Sequence, residues 1–172
     1  MNFKTMGNIV SDTTGLIHLF VSIIALITGL FVLITAKGTK RHKQIGYIYS
    51  ISMILVNVTA FMIYRLFGKF GIFHWFAVLS LLTLLLGIYP VLVKNFKNYL
   101  FVHFNYMYWS VVGLYCAFLA EILTRIPFVF DLPNKRQLFG ILTGVSIFIV
   151  MTNATIIFAK MKPKWTKQYE KK

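Results

Sequence analysis

Five apolar runs, each long enough to cross a bilayer, make up most of this sequence. They span about residues 16–36, 45–64, 72–93, 102–124 and 138–159. A transmembrane helix needs about 20 mostly apolar residues, and the connections between the runs are too short to fold as domains. The sequence therefore predicts an all-α membrane protein with five transmembrane helices. We expect one integral membrane domain over residues 1–172, with a basic tail at 160–172.

The composition supports this class and argues against others. Apolar residues make up 58% of the 172 residues and charged residues only 13%, about half the charged share of a soluble domain (roughly 25%). Lys and Arg number 18 against four acidic residues, which gives a net charge of +14. Because these cations lie between apolar runs, we expect a membrane role and no nucleic-acid binding. The single cysteine, Cys116, excludes an internal disulfide.

The positions of Lys and Arg predict the orientation in the membrane. With the N-terminus outside, twelve of these residues fall on the cytoplasmic side and six on the outer side. Cytoplasmic loops carry the excess of Lys and Arg in membrane proteins, so the count favours N-out, C-in. The lysines of the basic tail would then contact anionic lipid headgroups.

The first and third runs open with the same pattern: glycine, two apolar residues, histidine, an apolar residue, phenylalanine and an apolar residue. The two copies are Gly15-Leu16-Ile17-His18-Leu19-Phe20-Val21 and Gly71-Ile72-Phe73-His74-Trp75-Phe76-Ala77. This repeat predicts two tandem helical hairpins plus a fifth helix, although apolar helices also match by chance. In an up-down four-helix bundle the first and third helices are diagonal, which would turn His18 toward His74.

Two histidines that face each other on diagonal helices are what a bis-histidine haem b requires. His18 and His74 would hold one haem in the outer half, and His42 and His103 a second in the inner half. This plan is similar to that of transmembrane b-type cytochromes at the level of architecture only. His42 lies among Lys40, Arg41 and Lys43, where a haem would be exposed to water. A solvated interfacial histidine is therefore the favoured interpretation of His42, and helix packing is the alternative for the outer pair.

Glu121, in the fourth run, adds a second kind of chemistry. Two histidines and one carboxylate form a common three-ligand metal set, so His18, His74 and Glu121 are candidates to bind zinc or another divalent metal. An acidic residue inside a span is costly and is a functional candidate by default. The alternative is an ion pair with Arg125, which lies one turn later on the same helix.

Other polar and aromatic residues of the spans favour structural roles. Asn57 and Asn153 are expected to make hydrogen bonds between helices. Six aromatic residues cluster toward the cytoplasmic side and predict an interfacial belt. They are Tyr47, Tyr49, Tyr99, Tyr106, Tyr108 and Trp109.

Several motifs between Gly15 and Arg125 resemble those of small bacterial multi-pass membrane proteins known only as a domain of unknown function. They are Gly15-Leu16-Ile17-His18, Lys37-Gly38-Thr39-x-x-His42-x-x-x-Gly46-x-x-Tyr49, Asn57-x-Thr59-Ala60-Phe61, Phe73-His74-Trp75-x-Ala77, His103 with Tyr106-Met107, and Glu121-x-x-x-Arg125. The resemblance covers about two-thirds of the chain. It implies a bacterial plasma (inner) membrane and no particular activity.

The sequence favours one function and leaves two alternatives open. The leading hypothesis is a transmembrane electron carrier that binds haem b or a metal between its helices. One alternative is a cofactor-free accessory or assembly subunit, which would contact a membrane-protein partner or a second copy of the chain. The other is a small proton or solute transporter. No catalytic residue is indicated, and the sequence does not decide whether the protein is an enzyme.

Overall fold

The computed structural model describes residues 12–64, 68–94 and 97–170. They form α1 (Thr13–Ile34), α2 (Lys40–Met62), α3 (Ile72–Val93), α4 (Tyr99–Val129) and α5 (Lys135–Glu170). These described ranges contain no strand, and all five helices are long and apolar enough to cross a membrane. The predicted all-α fold with five spans is therefore confirmed, whereas the N-out orientation stays a prediction.

Side-chain caps fix the starts of the first two helices. The Asp12 carboxylate accepts the backbone N–H of Gly15 at 2.7 Å, and the Thr39 hydroxyl accepts that of His42 at 3.2 Å. Such caps satisfy donors that have no partner inside the helix. Helices α1 to α3 each contain 22 or 23 residues, about 33 Å at 1.5 Å per residue. This length matches the roughly 30 Å hydrocarbon core of a bilayer.

The fifth helix is longer than its apolar run. It continues to Glu170, so the predicted basic tail extends the same helix through at least that residue. Trp165, beyond the apolar run, is buried. Its ring centroid lies 5.0 Å from that of Phe104 and 5.7 Å from that of Tyr108. The start of the basic segment is therefore packed against α4.

The helices form a bundle in chain order. Helix α1 packs along α2, α3 along α4, and α4 along α5, while shorter contacts join α2 to α3 and α1 to α4. This pattern places α1 and α3 diagonally, as the sequence predicts. We call the end with the starts of α1 and α3 the cavity end, and the opposite end, which contains Lys37, the basic end.

The outer faces of the bundle are apolar. Large side chains such as Phe148, which is 72% exposed, point away from the neighbouring helices. Tyr49, Met53, Leu84 and Val111 are fully buried in the interior. Water would penalise so much exposed apolar surface, whereas the lipid of a bilayer would solvate it.

The interpretation of His42 as a solvated residue is wrong. Helix α2 already begins at Lys40, so His42 lies in its first turn and not in an irregular loop. The side chains of Lys40, Arg41 and Lys43 are exposed, whereas His42 is only 9% exposed. The helical turn therefore separates the three cations from the histidine.

The predicted aromatic belt is also wrong for two of its members. Tyr47 is 66% exposed, but Tyr49 is completely buried, because residues two apart on a helix point about 200° apart. The Tyr49 hydroxyl is hydrogen-bonded to that of Ser110 at 2.9 Å. Tyr108 is buried as well and donates its hydroxyl proton to the Ala154 carbonyl at 2.6 Å. These two tyrosines join helices inside the bundle.

The two asparagines differ in the same way. Asn57 is buried and donates to the Met53 carbonyl at 2.7 Å and to the Ser80 hydroxyl of α3 at 3.4 Å. The predicted bond between helices is thus confirmed for Asn57. Asn153 is exposed and donates to the carbonyl of Ile149 in its own helix at 2.8 Å. The prediction is wrong for Asn153, whose position on α5 turns away from the other helices.

Candidate ligand-binding cavity

A cavity of about 590 Å³ opens between the helices at the cavity end, and all five helices contribute to its wall. His18, His74 and Glu121, three residues that the sequence singles out, all line it. Along α3 the wall runs from Phe73 to Thr83, about 15 Å at the rise of an α-helix. The cavity therefore reaches from one face of the bundle to about the middle of a bilayer.

The cavity has a polar and an apolar part. At the polar part, near the end of the bundle, the wall contains His18, Tyr64, His74, Glu121 and Arg125. The deeper wall is mostly aliphatic and aromatic and includes Leu26, Met53, Val56, Phe76, Leu79, Trp109 and Met151. A cavity of this kind suits a molecule with one polar end and one apolar end.

Hydrogen bonding determines which nitrogen of His18 carries the proton. Its Nδ1 lies 2.8 Å from the Thr59 hydroxyl oxygen in α2. That hydroxyl also lies 2.7 Å from the Leu55 carbonyl and 3.0 Å from the Val56 carbonyl, and both of these can only accept its single proton. We therefore assign Nδ1–H of His18 as the donor to Thr59, which makes Nε2 the acceptor of the neutral ring. Histidines that bind metals are usually held in this way, with one ring nitrogen donating and the other binding.

His74 has the opposite arrangement. The backbone N–H of Gly71 donates to its Nδ1 at 3.1 Å, so the proton of the neutral ring is on Nε2. The side chain is only 5% exposed, and Nε2 is buried with no hydrogen-bond partner among the residues described. The rings of Tyr64 and Phe70 lie beside it, with centroids 4.6 and 4.8 Å away. A buried donor without a partner costs roughly 1–3 kcal/mol.

Glu121 and Arg125 form an ion pair at the mouth of the cavity. Their side chains approach to 2.5 Å across one turn of α4, and the carboxylate is half exposed. The predicted pairing of Glu121 with Arg125 is confirmed. Because the two charges compensate each other, this part of the wall is close to neutral.

A shared metal ion is not evident in the arrangement of these side chains. Across residues 12–64, 68–94 and 97–167, no three His, Cys, Asp or Glu side chains are grouped closely enough to hold one. The set of His18, His74 and Glu121 therefore stays a prediction. The structure brings these residues to one cavity and does not test their metal binding.

The other two candidate histidines lie at the basic end and do not line this cavity. His103 donates Nδ1–H to the Gly87 carbonyl at 2.6 Å, which joins α4 to α3. A Cβ added to Gly87 would lie 2.7 Å from the Met107 sulfur. The absence of a side chain at Gly87 therefore allows these two helices to approach closely. His42 is buried in the first turn of α2.

Sequence reasoning missed Lys37, which it placed in a cytoplasmic loop. Its side chain is 5% exposed, and Nζ donates to the carbonyls of Val32 and Leu33, each at 2.7 Å. Nζ also lies 5.3 Å from the centre of the Trp165 ring. Burial lowers the pKa of Lys37 from 10.5 to about 8. A lysine just after a helix end often binds its last carbonyls, and its position three residues after α1 was the available signal.

Five long apolar helices that enclose a partly polar cavity define a multi-pass integral membrane protein. The chain belongs to the family described as "Predicted membrane protein (DUF2306)", whose family model matches residues 15–158. The function of this family is unknown, and the match includes every residue of the cavity wall named above. No curated protein and no solved structure matches the chain significantly.

Proposed function

We propose that this protein binds a neutral, lipid-soluble ligand in its cavity, and that His18 and His74 make hydrogen bonds to the polar part of that ligand. The observation that carries the proposal is the buried Nε2–H donor of His74, which has no partner in the described chain. His74 lines the same cavity as His18. A ligand that accepts from this nitrogen would remove the cost of an unpaired donor.

The rest of the wall supports a ligand without net charge. Glu121 and Arg125 already compensate each other, so an ionic ligand would find no uncompensated charge in this pair. The deeper wall is mostly aliphatic and aromatic, which favours a molecule taken up from lipid. With the predicted N-out orientation, this ligand would lie in the outer half of a bacterial plasma membrane.

Native mass spectrometry of the protein released from a mild detergent tests the proposal. We expect one bound small molecule per chain in the wild type, identifiable in an organic extract. His18→Ala and His74→Phe should reduce the occupied fraction severalfold, whereas Asn153→Ala, on the lipid-facing side of α5, should retain it. A wild-type protein that carries no bound molecule, or variants that all retain it equally, would contradict the proposal.

Haem b is the second candidate, and the hydrogen bond of His18 to Thr59 favours it. This bond leaves Nε2 of His18 available to iron, as in other metal-binding histidines. His74 would have to move its proton to Nδ1 and give up the bond from Gly71 before its Nε2 binds iron. In this version the protein carries electrons across the membrane.

An absorption spectrum of the purified protein distinguishes the two candidates. Haem binding requires a Soret band that shifts on reduction and is lost in His18→Ala and in His74→Ala. A colourless protein with stoichiometric zinc would instead favour the metal set that includes Glu121. A colourless protein with an empty cavity that copurifies with another membrane protein would favour an accessory subunit and contradict ligand binding.

A further inference from the structure

We infer that the ligand is a quinol, the reduced form of a lipid-soluble quinone. This inference rests on the proposed function and names the chemical class of the ligand. It follows from the opposite proton positions of the two histidines that line the cavity. His18 offers an acceptor at Nε2, because Nδ1–H is bound to Thr59. His74 offers a donor at Nε2, because Nδ1 accepts from Gly71.

A ligand that satisfies both histidines must supply one hydrogen-bond donor and one acceptor. A para-quinol has two hydroxyls on opposite sides of one ring, and each hydroxyl can do either. One hydroxyl donates to His18 Nε2, and the other accepts from His74 Nε2–H. The oxidised quinone has two carbonyl oxygens, which only accept, so it matches His74 but leaves two acceptors facing each other at His18.

The wall suits the rest of such a molecule. Aromatic side chains at Tyr64, Phe73, Phe76 and Trp109 line the cavity and offer surfaces on which a flat ring can pack. The cavity extends about 15 Å along α3, and its deeper, mostly apolar part accommodates the first part of an isoprenoid chain. A lipid with a single hydroxyl would have to reach both Nε2 atoms with one oxygen, whereas the two hydroxyls of a quinol lie on opposite sides of its ring. An anionic headgroup would need a free cation, whereas Arg125 is already paired with Glu121.

Nε2 of His74 is buried in the structure. A ligand can reach this donor only if the imidazole or an adjacent ring shifts. Tyr64 is the neighbouring ring that lines the cavity, and it is 44% exposed. We therefore expect quinol binding to move the Tyr64 side chain, whereas the hydrogen bond between His18 and Thr59 stays in place.

The test compares the two oxidation states of one probe, a benzoquinol with a ten-carbon chain and the corresponding benzoquinone. Binding to the full-length protein in detergent is measured by isothermal titration without oxygen. We expect the reduced probe to bind about fivefold more tightly, the effect of roughly one hydrogen bond. His74→Phe should weaken the binding of the reduced probe and of the oxidised probe by about the same factor. Asn153→Ala should leave both affinities unchanged.

Thr59→Val gives the sharpest result, because it changes the proton position of His18 without removing the ring. Without the threonine oxygen, Nδ1 loses its acceptor, and the ring can place its proton on Nε2 and donate to a carbonyl. We expect the preference for the reduced probe to disappear or reverse in this variant. A threonine that merely supports the fold would weaken both forms equally, and that outcome would overturn the inference.

Two other outcomes separate this inference from the proposed function. If the wild type binds the oxidised probe as tightly as the reduced one, or binds neither while mass spectrometry shows another bound lipid, the quinol assignment is wrong and the cavity remains a ligand site. If neither probe binds and mass spectrometry shows no bound molecule, both proposals fail.

Discussion

The imidazole of His18 in α1 is joined to the hydroxyl of Thr59 in α2 by a hydrogen bond of 2.8 Å. This bond connects the two helices of the first hairpin at the cavity end and fixes the proton of His18 on Nδ1. The bond therefore affects both the stability of the helix pair and the hydrogen bonds that His18 can make to a ligand. The effect on stability can be measured on the protein without ligand.

We expect Thr59→Val to destabilise the ligand-free protein by about 1 kcal/mol, because His18 loses its hydrogen-bond acceptor. Thr155→Val is the matched control, since the Thr155 hydroxyl is exposed and donates to the Met151 carbonyl of its own helix. The free energy of unfolding in mixed micelles, measured by titration with a denaturing detergent, compares the variants. Equal losses at both positions would show that the bond to His18 adds no stability.

Removing the Tyr49 hydroxyl should have a similar effect at the centre of the bundle. Tyr49→Phe removes the hydrogen bond to Ser110 and leaves the buried Ser110 hydroxyl without this partner. We expect the free energy of unfolding to fall by roughly 1–2 kcal/mol. Tyr47→Phe should change stability little, because Tyr47 is exposed on the opposite side of α2. A double-mutant cycle with Ser110→Ala measures the coupling energy directly, and a coupling near zero would refute the assigned bond.

The close approach of α3 and α4 predicts that Gly87 tolerates no side chain. The added methyl group of Gly87→Ala would meet the Met107 sulfur at 2.7 Å and the Met107 backbone nitrogen at 3.2 Å. We expect a loss of about 1–3 kcal/mol from this overpacking. Gly140→Ala, where nothing lies within 4 Å, should be neutral or stabilising by up to about 1 kcal/mol. Thermal unfolding of both variants decides whether α3 and α4 approach this closely.

Lys37 predicts a pH dependence of stability at the basic end. Its pKa is about 8 in the folded protein and returns to its usual 10.5 when the chain unfolds. Between these values the unfolded chain binds more protons, so the free energy of unfolding rises with pH, by up to about 3 kcal/mol. Below about pH 8 this contribution is constant.

The comparison with Lys37→Met isolates this dependence from the other lysines. Methionine keeps most of the side-chain volume but has no proton to release. Unfolding measured from pH 7 to 11 should therefore show a shallower rise for the variant than for the wild type. Parallel profiles would contradict the lowered pKa of Lys37.

The amino-acid sequence predicts much of the candidate site but not its chemistry. His18, His74 and Glu121 are recognisable as polar residues in apolar runs, and all three line one cavity. The repeated pattern around His18 and His74 suggests two equivalent histidines, yet the two make different hydrogen bonds. Gly71 is the N-cap of α3, whereas Gly15 lies within the first turn of α1. As a result, His74 accepts from its own helix start and His18 donates to Thr59, 41 residues away.

The number and extent of the spans followed from the sequence because each helix satisfies its own backbone hydrogen bonds and meets lipid independently of the others. Which polar groups meet in the interior depended on the rotation and packing of whole helices against one another. That packing buried Tyr49 and left Tyr47 exposed, covered Lys37 with Trp165, and left the Asn153 amide bonded to its own helix. An apolar helix can be rotated about its axis and still present a similarly apolar surface to its neighbours. Only the tertiary structure therefore decided these contacts.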